Sequence, residues 1–261
     1  MAGGGTADQP MSCAIAVMAK ASVPGRAKTR LVPPLSAEDA ASLNTSFLRD
    51  VADSLIAAST LANIAGCMAF APAGSAGFFR GIMPERIGLL ETVAPSFGEC
   101  LLHAATSLFD AGHGAVCLLN SDSPTLPVAY LVSAATALAA PGDRVVLGPS
   151  TDGGYYLIGL KQPHRRLFQD IDWSTERVAA QTLARARELG LPVHQLPAWY
   201  DVDDIDALRL LFRELIEERP FRVWGSKPTP APWTRRELRR LLDHTDLAAR
   251  LSGSMPSSLV A

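Results

Sequence analysis

Cys13 to Ala19 is an unbroken apolar run, too short to cross a membrane and too continuous for a strand with one wet face. It must therefore be covered on both sides. Ile64 to Ala71, closed by Pro72, and Ala115 to Leu119 have the same character, and Ile87–Leu90, Arg144–Leu147, Tyr155–Leu160 and Val193–Leu196 read as further strands. Between them the apolar spacing turns helical. Ser36 with Asp39 resembles a capping box, and Ala40, Leu43, Phe47, Val51 and Leu55 then recur on one face of a helix of about five turns. Phe97 to Ala111, Val128 to Leu138, a segment capped by Ser174 and running through Glu188, and Ile205 to Glu218 are the other helices expected. Strands that alternate with helices predict a mostly parallel sheet with helices on both faces, a three-layer α/β sandwich.

Two strand ends carry acids. Asp122 sits within Asn120-Ser-Asp-Ser-Pro124, and Asp152 within Gly148-Pro-Ser-Thr-Asp-Gly-Gly-Tyr155. In open α/β sheets the carboxyl ends of strands line the ligand crevice, so both acids point toward one place. Paired carboxylates there suit a hard divalent cation and phosphate chemistry. Each has a plainer alternative: Asp122 could cap the following helix, and Asp152 could form an Asx turn before Gly153 and Gly154. Those glycines allow close approach of a backbone or an acceptor.

Lys20, Arg26, Lys28 and Arg30 place four cations directly after the first strand, around a Pro24-Gly25 turn. Such a turn exposes backbone N–H groups, and the cations can meet a nucleotide's phosphates. The alternative is a solvated loop. Trp199-Tyr-Asp-Val-Asp203 follows the last strand, where alternation puts Asp201 and Asp203 on one side and cannot choose between them. Either Asp203 or Asp204 could instead cap the final helix.

These segments, in order, resemble a little-characterised bacterial family grouped with glycosyltransferases of the nucleotide-diphospho-sugar transferase (GT-A) fold. The resemblance is carried by Lys20 to Leu31, Asn120 to Pro127, Gly148 to Leu160 and Trp199 to Asp204, and it runs from about residue 13 to 216. The Ala27-Lys-Thr-Arg-Leu31 core is also similar to 2-phospholactate guanylyltransferase-like nucleotidyltransferases. The resemblance implies Mg²⁺ or Mn²⁺ on Asp122 and Asp203, donor phosphates on Lys20, Gly25, Arg26, Lys28 and Arg30, a catalytic Asp152, and an acceptor side formed by Gly153, Gly154, Trp173 and Ser174. It further implies transfer of a sugar from a nucleotide-diphospho-sugar to a small acceptor, or nucleotidyl transfer to a phosphorylated acceptor with release of pyrophosphate. A nucleotide-binding module without catalysis is the reading of another class. Ala94-Pro-Ser-Phe-Gly-Glu-Cys100 departs from the Gly-Asp-Leu-Gly-Glu-Arg of the relatives, which implies an altered nucleotide contact.

Composition closes off other classes. A net charge of −2 over 261 residues lacks the basic footprint of a nucleic-acid binder, and 48% hydrophobic with 19% charged residues is ordinary for a globular protein. The five histidines show no ligand spacing, no serine sits in a nucleophile elbow, and the four cysteines have neither metal spacing nor a disulfide pattern. Residues 1–11 have neither a basic nor an apolar signal region and are expected to be a disordered tail, giving a cytoplasmic protein with no membrane span. Residues 12–219 are expected to form the GT-A-like domain, and 220–261 a Pro-rich linker with a basic helical tail. The amphipathic stretch from Arg235 to Leu242 is read as a solvated appendage in preference to a docked helix.

Overall fold

The structure, a computed structural model, describes residues 12–219, 221 and 226–251. The tail expected at 1–11 and part of the linker expected after Arg219 lie outside these residues. Seven strands form one sheet: β1 (Cys13–Lys20), β2 (Ile64–Ala71), β3 (Gly88–Glu91), β4 (Ala115–Asn120), β5 (Val145–Pro149), β6 (Tyr155–Leu160) and β7 (Val193–Gln195). The helices are α1 (Ala37–Ser59), α2 (Ala76–Ile82), α3 (Phe97–Asp110), α4 (Val128–Ala139), α5 (Val178–Glu188), α6 (Ile205–Leu215), α7 (Pro232–His244) and α8 (Leu247–Leu251). The sheet order is β3-β2-β1-β4-β6-β5-β7. All pairings are parallel except those of β6, which runs antiparallel between β4 and β5.

This order reverses direction between β1 and β4, so the loops leaving those two strands diverge and open a crevice at their carboxyl ends. Both faces of the sheet are covered. On one face the odd-numbered residues of β1 and their neighbours pack with α1, α4, α6 and α7; on the other, Ala14 and Ala16 pack with α3 and α5. That double burial is why the strands read as continuous apolar runs rather than alternating ones. The Ser36 box forms as its spacing predicts: the Asp39 N–H donates to Ser36 Oγ at 3.0 Å and Ser36 Oγ donates to Asp39 Oδ2 at 2.8 Å.

Two expectations fail. Ser174 does not cap a helix: its φ is +64° and α5 begins only at Val178, after Thr175 Oγ1 has donated to the Asp172 carbonyl at 2.7 Å. The basic tail is not a solvated appendage. Leu238 and Leu241 of α7 are fully buried against α1, and Arg240 pairs with Asp39 at 2.7 Å.

What docks α7 is an acid on another helix. Its N-cap position, Ala231, offers no side-chain oxygen, so Asp50 of α1 supplies one: the N–H groups of Trp233 and Thr234 donate to it at 3.0 and 2.7 Å. Burial pushes the Asp50 carboxyl up to about 6, against the pull of those hydrogen bonds. Asp50→Ala should cost about 2 kcal/mol, as a lost cap with buried donors left unpaired. Urea unfolding checks this, and an unchanged midpoint would show that α7 is held by its apolar face alone.

Candidate active site

Asn44 of α1 begins the site. Its Nδ2 donates to Ser22 Oγ at 2.9 Å and tethers the loop leaving β1. The loop then turns at Val23 to Gly25, with Arg26 and Ala27 N–H both donating to the Val23 carbonyl and Gly25 at φ +73°. Lys28 follows in the left-handed region at φ 50°, a conformation that a residue with a Cβ adopts only when its surroundings impose it. The result is that Lys28 turns inward while Lys20, Arg26 and Arg30 stay exposed.

The acids arrive from two other loops that are tied together. Val202 N–H donates to the Asp122 carbonyl at 2.8 Å, Ser123 Oγ to the Tyr200 carbonyl at 2.9 Å, and Thr125 Oγ1 lies 3.0 Å from the Tyr200 hydroxyl. Behind them the Tyr200 hydroxyl donates to buried Glu214 of α6. Asp122 and Asp203 thus converge, and the Lys28 ammonium lies between them at 2.7 and 2.9 Å. Its third hydrogen bond, 2.8 Å, goes to the Val202 carbonyl. Burial alone would lower the Lys28 pKa, but Asp122 and Asp203 outweigh it and raise it. Conversely, burial would raise Asp203, and Lys28, Arg30 and Lys20 together hold it below the usual carboxylate range.

Asp201 and Asp203 take different roles. Asp201 accepts from Ser150 Oγ at 2.7 Å, because the chain at Trp199 runs beside the end of β5. Burial, then the charge of Asp152, pushes its carboxyl up to about 7 against the Ser150 hydrogen bond, with Asp203 and Asp122 adding to the push. A raised folded-state pKa means that the stabilisation is complete below the ordinary value of 3.8 and is lost as pH rises through about 7. With chelator present, Asp201→Asn should therefore gain roughly 2–4 kcal/mol over the native protein between pH 4 and pH 8. Parallel melting-temperature profiles for the two proteins would count against this.

Asp152 forms the Asx turn foreseen as its plainer role: Gly154 N–H donates to Oδ1 at 2.8 Å. Its position at the mouth still adds charge to the cleft. An open cleft of about 650 Å³ lies at the switch point, and its lining holds Lys20, Arg26, Lys28 and Arg30 of the β1 loop together with four aspartates, Asp122, Asp152, Asp201 and Asp203. That volume suits a nucleotide-sized ligand. Gly154, Trp173 and Ser174 also line it, whereas Gly25 and Gly153 do not. Gly153, at φ +89°, faces the Glu176 backbone, so the space it leaves is filled by the protein and not open to an acceptor. Asp204, not Asp203, caps α6, accepting from Asp206 and Ala207 N–H at 3.0 and 2.9 Å.

Sequence reasoning missed Phe97, half exposed at the cleft edge and edge-on to Trp173 with ring centroids 5.1 Å apart. The signal was present: a large apolar residue at the first position of α3, in the segment that departs from the relatives. Cys13, Cys67 and Cys117 are buried, and Cys100 is half-buried.

The donor set suits a divalent cation. Two carboxylates meet at one point, already occupied by a positive charge, and all the side-chain ligands are oxygens, which suits Mg²⁺ or Mn²⁺ with water and phosphate completing the shell. Among the described residues no group of three or more His, Cys, Asp or Glu is poised to hold a metal without such help.

Residues 52–175 match the family described as "Uncharacterized protein conserved in bacteria (DUF2064)". The fold is that of the nucleotide-diphospho-sugar transferases. A crystal structure of a "putative nucleotide-diphospho-sugar transferase" from Desulfovibrio desulfuricans G20 superposes with a TM-score of 0.75 at 28% identity, covering 89% of this chain and 96% of that one. The resemblance read from the ordered motifs is borne out by both matches. Two more distant structures share the fold: CMP:2-keto-3-deoxy-manno-octonic acid synthetase complexed with CTP (TM-score 0.52, 11% identity, covering 79% of this chain and 99% of that one) and a cytidylyltransferase from Leptospira borgpetersenii serovar Hardjo-bovis (0.53, 12%, 94% and 99%). No curated protein matches the chain. No helix among the described residues is long and apolar enough to cross a membrane.

Proposed function

We propose that this protein is a divalent-cation-dependent transferase that moves a sugar from a nucleotide-diphospho-sugar to a small acceptor. The observation that carries the reading is the meeting of Asp122 and Asp203 at the switch point, in one nucleotide-sized cleft with exposed Lys20, Arg26 and Arg30. The likeness to the Desulfovibrio structure supports it.

In this reading Asp122 and Asp203 hold Mg²⁺ or Mn²⁺, which when bound neutralises charge developing on the leaving diphosphate. Arg26 and Arg30 offer bidentate forks and Lys20 a point charge to the donor phosphates. Trp173 and Ser174, which also line the cleft, face the acceptor. Asp152 keeps one oxygen on Gly154 N–H and uses the other to orient the acceptor or accept its proton. Asn preserves that turn, so Asp152→Asn should stay folded and bind donor while turnover falls about 100-fold. Near-normal turnover would leave Asp152 with the turn alone.

Nucleotidyl transfer is the second reading, favoured by the likeness of the Ala27-Lys28-Thr29-Arg30-Leu31 core to guanylyltransferase-like enzymes. The products separate the two. A thermal-shift screen of nucleotides and nucleotide-sugars with Mn²⁺ identifies the donor, since a ligand bound only by the folded state raises the melting point. Incubation with an acceptor panel then supports glycosyl transfer if a nucleoside diphosphate is released, and nucleotidyl transfer if pyrophosphate appears. Binding without turnover of any donor would leave a nucleotide-binding module.

A further inference from the structure

Lys28 differs from its three neighbouring cations in every structural respect. Its side chain is 6% exposed, and its three N–H donors are all used, by Asp122, Asp203 and the Val202 carbonyl. Its backbone is held in the left-handed region to bring it there, and the ammonium lies 5.5 Å from the Phe47 ring centroid. Lys20, Arg26 and Arg30 are exposed and form no ion pair among the described residues. Nothing about Lys28 in this state is available to a phosphate. Instead it stands at the one point the two carboxylates share.

We infer that Lys28 is a resident counter-cation, and that a divalent metal displaces it only when delivered as a chelate of nucleotide phosphates. The inference rests on the nucleotide-dependent reading above and adds an order of events to it. Without Lys28 the converging carboxylates, with Asp201 and Asp152 in the same cleft, would repel one another; its charge keeps both loops in place in the empty protein. A bare divalent ion entering between the acids must evict an ammonium that loses three hydrogen bonds and gains no anionic partner. A metal–nucleotide chelate brings that partner with it. The two carboxylates exchange one positive charge for two, while the displaced ammonium turns to the phosphate oxygens, so charge is matched at both places. Metal and nucleotide then bind with strong positive coupling, and by reciprocity each tightens the other by the same factor.

The test is Mn²⁺ binding to the full chain, followed by electron paramagnetic resonance of the free ion. Mn²⁺ is titrated alone, with pyrophosphate, and with a panel of nucleoside diphosphates, each corrected by a protein-free titration. The native protein should bind Mn²⁺ alone at least ~10-fold more weakly than with a saturating nucleotide. Lys28→Met, which keeps an apolar stem and removes the charge, should bind Mn²⁺ alone at least ~10-fold more tightly than the native protein and lose most of the nucleotide enhancement. Equal Mn²⁺ affinity of the native protein with and without a nucleotide that binds would overturn the inference, as would unchanged Mn²⁺ affinity in a folded Lys28→Met. Should Lys28→Met fail to fold, Lys28→Gln takes its place and the native titrations still decide. If no nucleotide or pyrophosphate binds in any arm, it is the transferase reading that fails. Tighter Mn²⁺ binding by Lys28→Met, abolished by adding Asp122→Asn, would then still uphold the exchange of ammonium for metal.

Discussion

Asp122→Ala is expected to abolish metal-dependent nucleotide binding while leaving the protein folded. Among the described residues the carboxylate is one of two that meet Lys28, and two ties between the loops do not use it: Val202 N–H bonds the Asp122 carbonyl, and Ser123 Oγ bonds the Tyr200 carbonyl, while the carboxylate accepts from Ser121 Oγ at 2.9 Å within its own loop. Removing it therefore takes away half of the acid pair without untying the two loops. Lys28 keeps Asp203 and the Val202 carbonyl, so its buried charge is not orphaned. Loss of one of two protein ligands should weaken Mn²⁺–nucleotide binding by about 3 kcal/mol or more, roughly 100-fold. Calorimetry with Mn²⁺ present measures this, and an undiminished affinity would remove Asp122 from the metal site.

Gly153→Ala should cause a large loss of stability. At φ +89° an L side chain is strained, and a Cβ there would lie 2.2 Å from the Glu176 carbonyl oxygen and 2.6 Å from its Cα. Those are backbone atoms at the entrance to α5, anchored by the Ala179 N–H donating to the Gly153 carbonyl at 3.0 Å, so neither side can yield cheaply. Strain and overpacking together should cost roughly 3 kcal/mol or more, which lowers the melting temperature of a chain of this size by about 6–12 °C. Gly154→Ala is the control, because the nearest atoms to its Cβ would be those of the Asp152 carboxylate, from 3.1 Å outward. Equal effects at the two positions would mean that the turn, and not its packing on Glu176, demands glycine.

Much of the architecture is legible in the sequence. Doubly covered strands read as continuous apolar runs because both of their faces are dry, and β1, β2 and β4 were placed to within a residue for that reason. The place of Asp122, of the Asp201–Asp203 segment and of the cations after β1 was legible because strand ends in an alternating pattern must share one edge of the sheet, whereas Asp203 was set apart from Asp201 only by the resemblance. Short elements were less so: α2, Ala76–Ile82, carries two glycines and too few turns to show a period, and went unread.

What the sequence by itself determined, then, is the class of fold, the edge at which the site lies and the chemical types gathered there. Those follow from patterns a few residues long. What only the tertiary structure decided are pairings between residues far apart in the chain: Lys28 with Asp122 and Asp203, Asp201 with Ser150, Asp50 with the first turn of α7, and Gly153 against Glu176. The physical reason is the same in each case. A charge or a bare glycine has several local uses of similar free energy, namely solvated cation, helix cap or turn former. Which use it takes is set by the burial and the partner that the rest of the fold brings to it, a long-range term that no local spacing records.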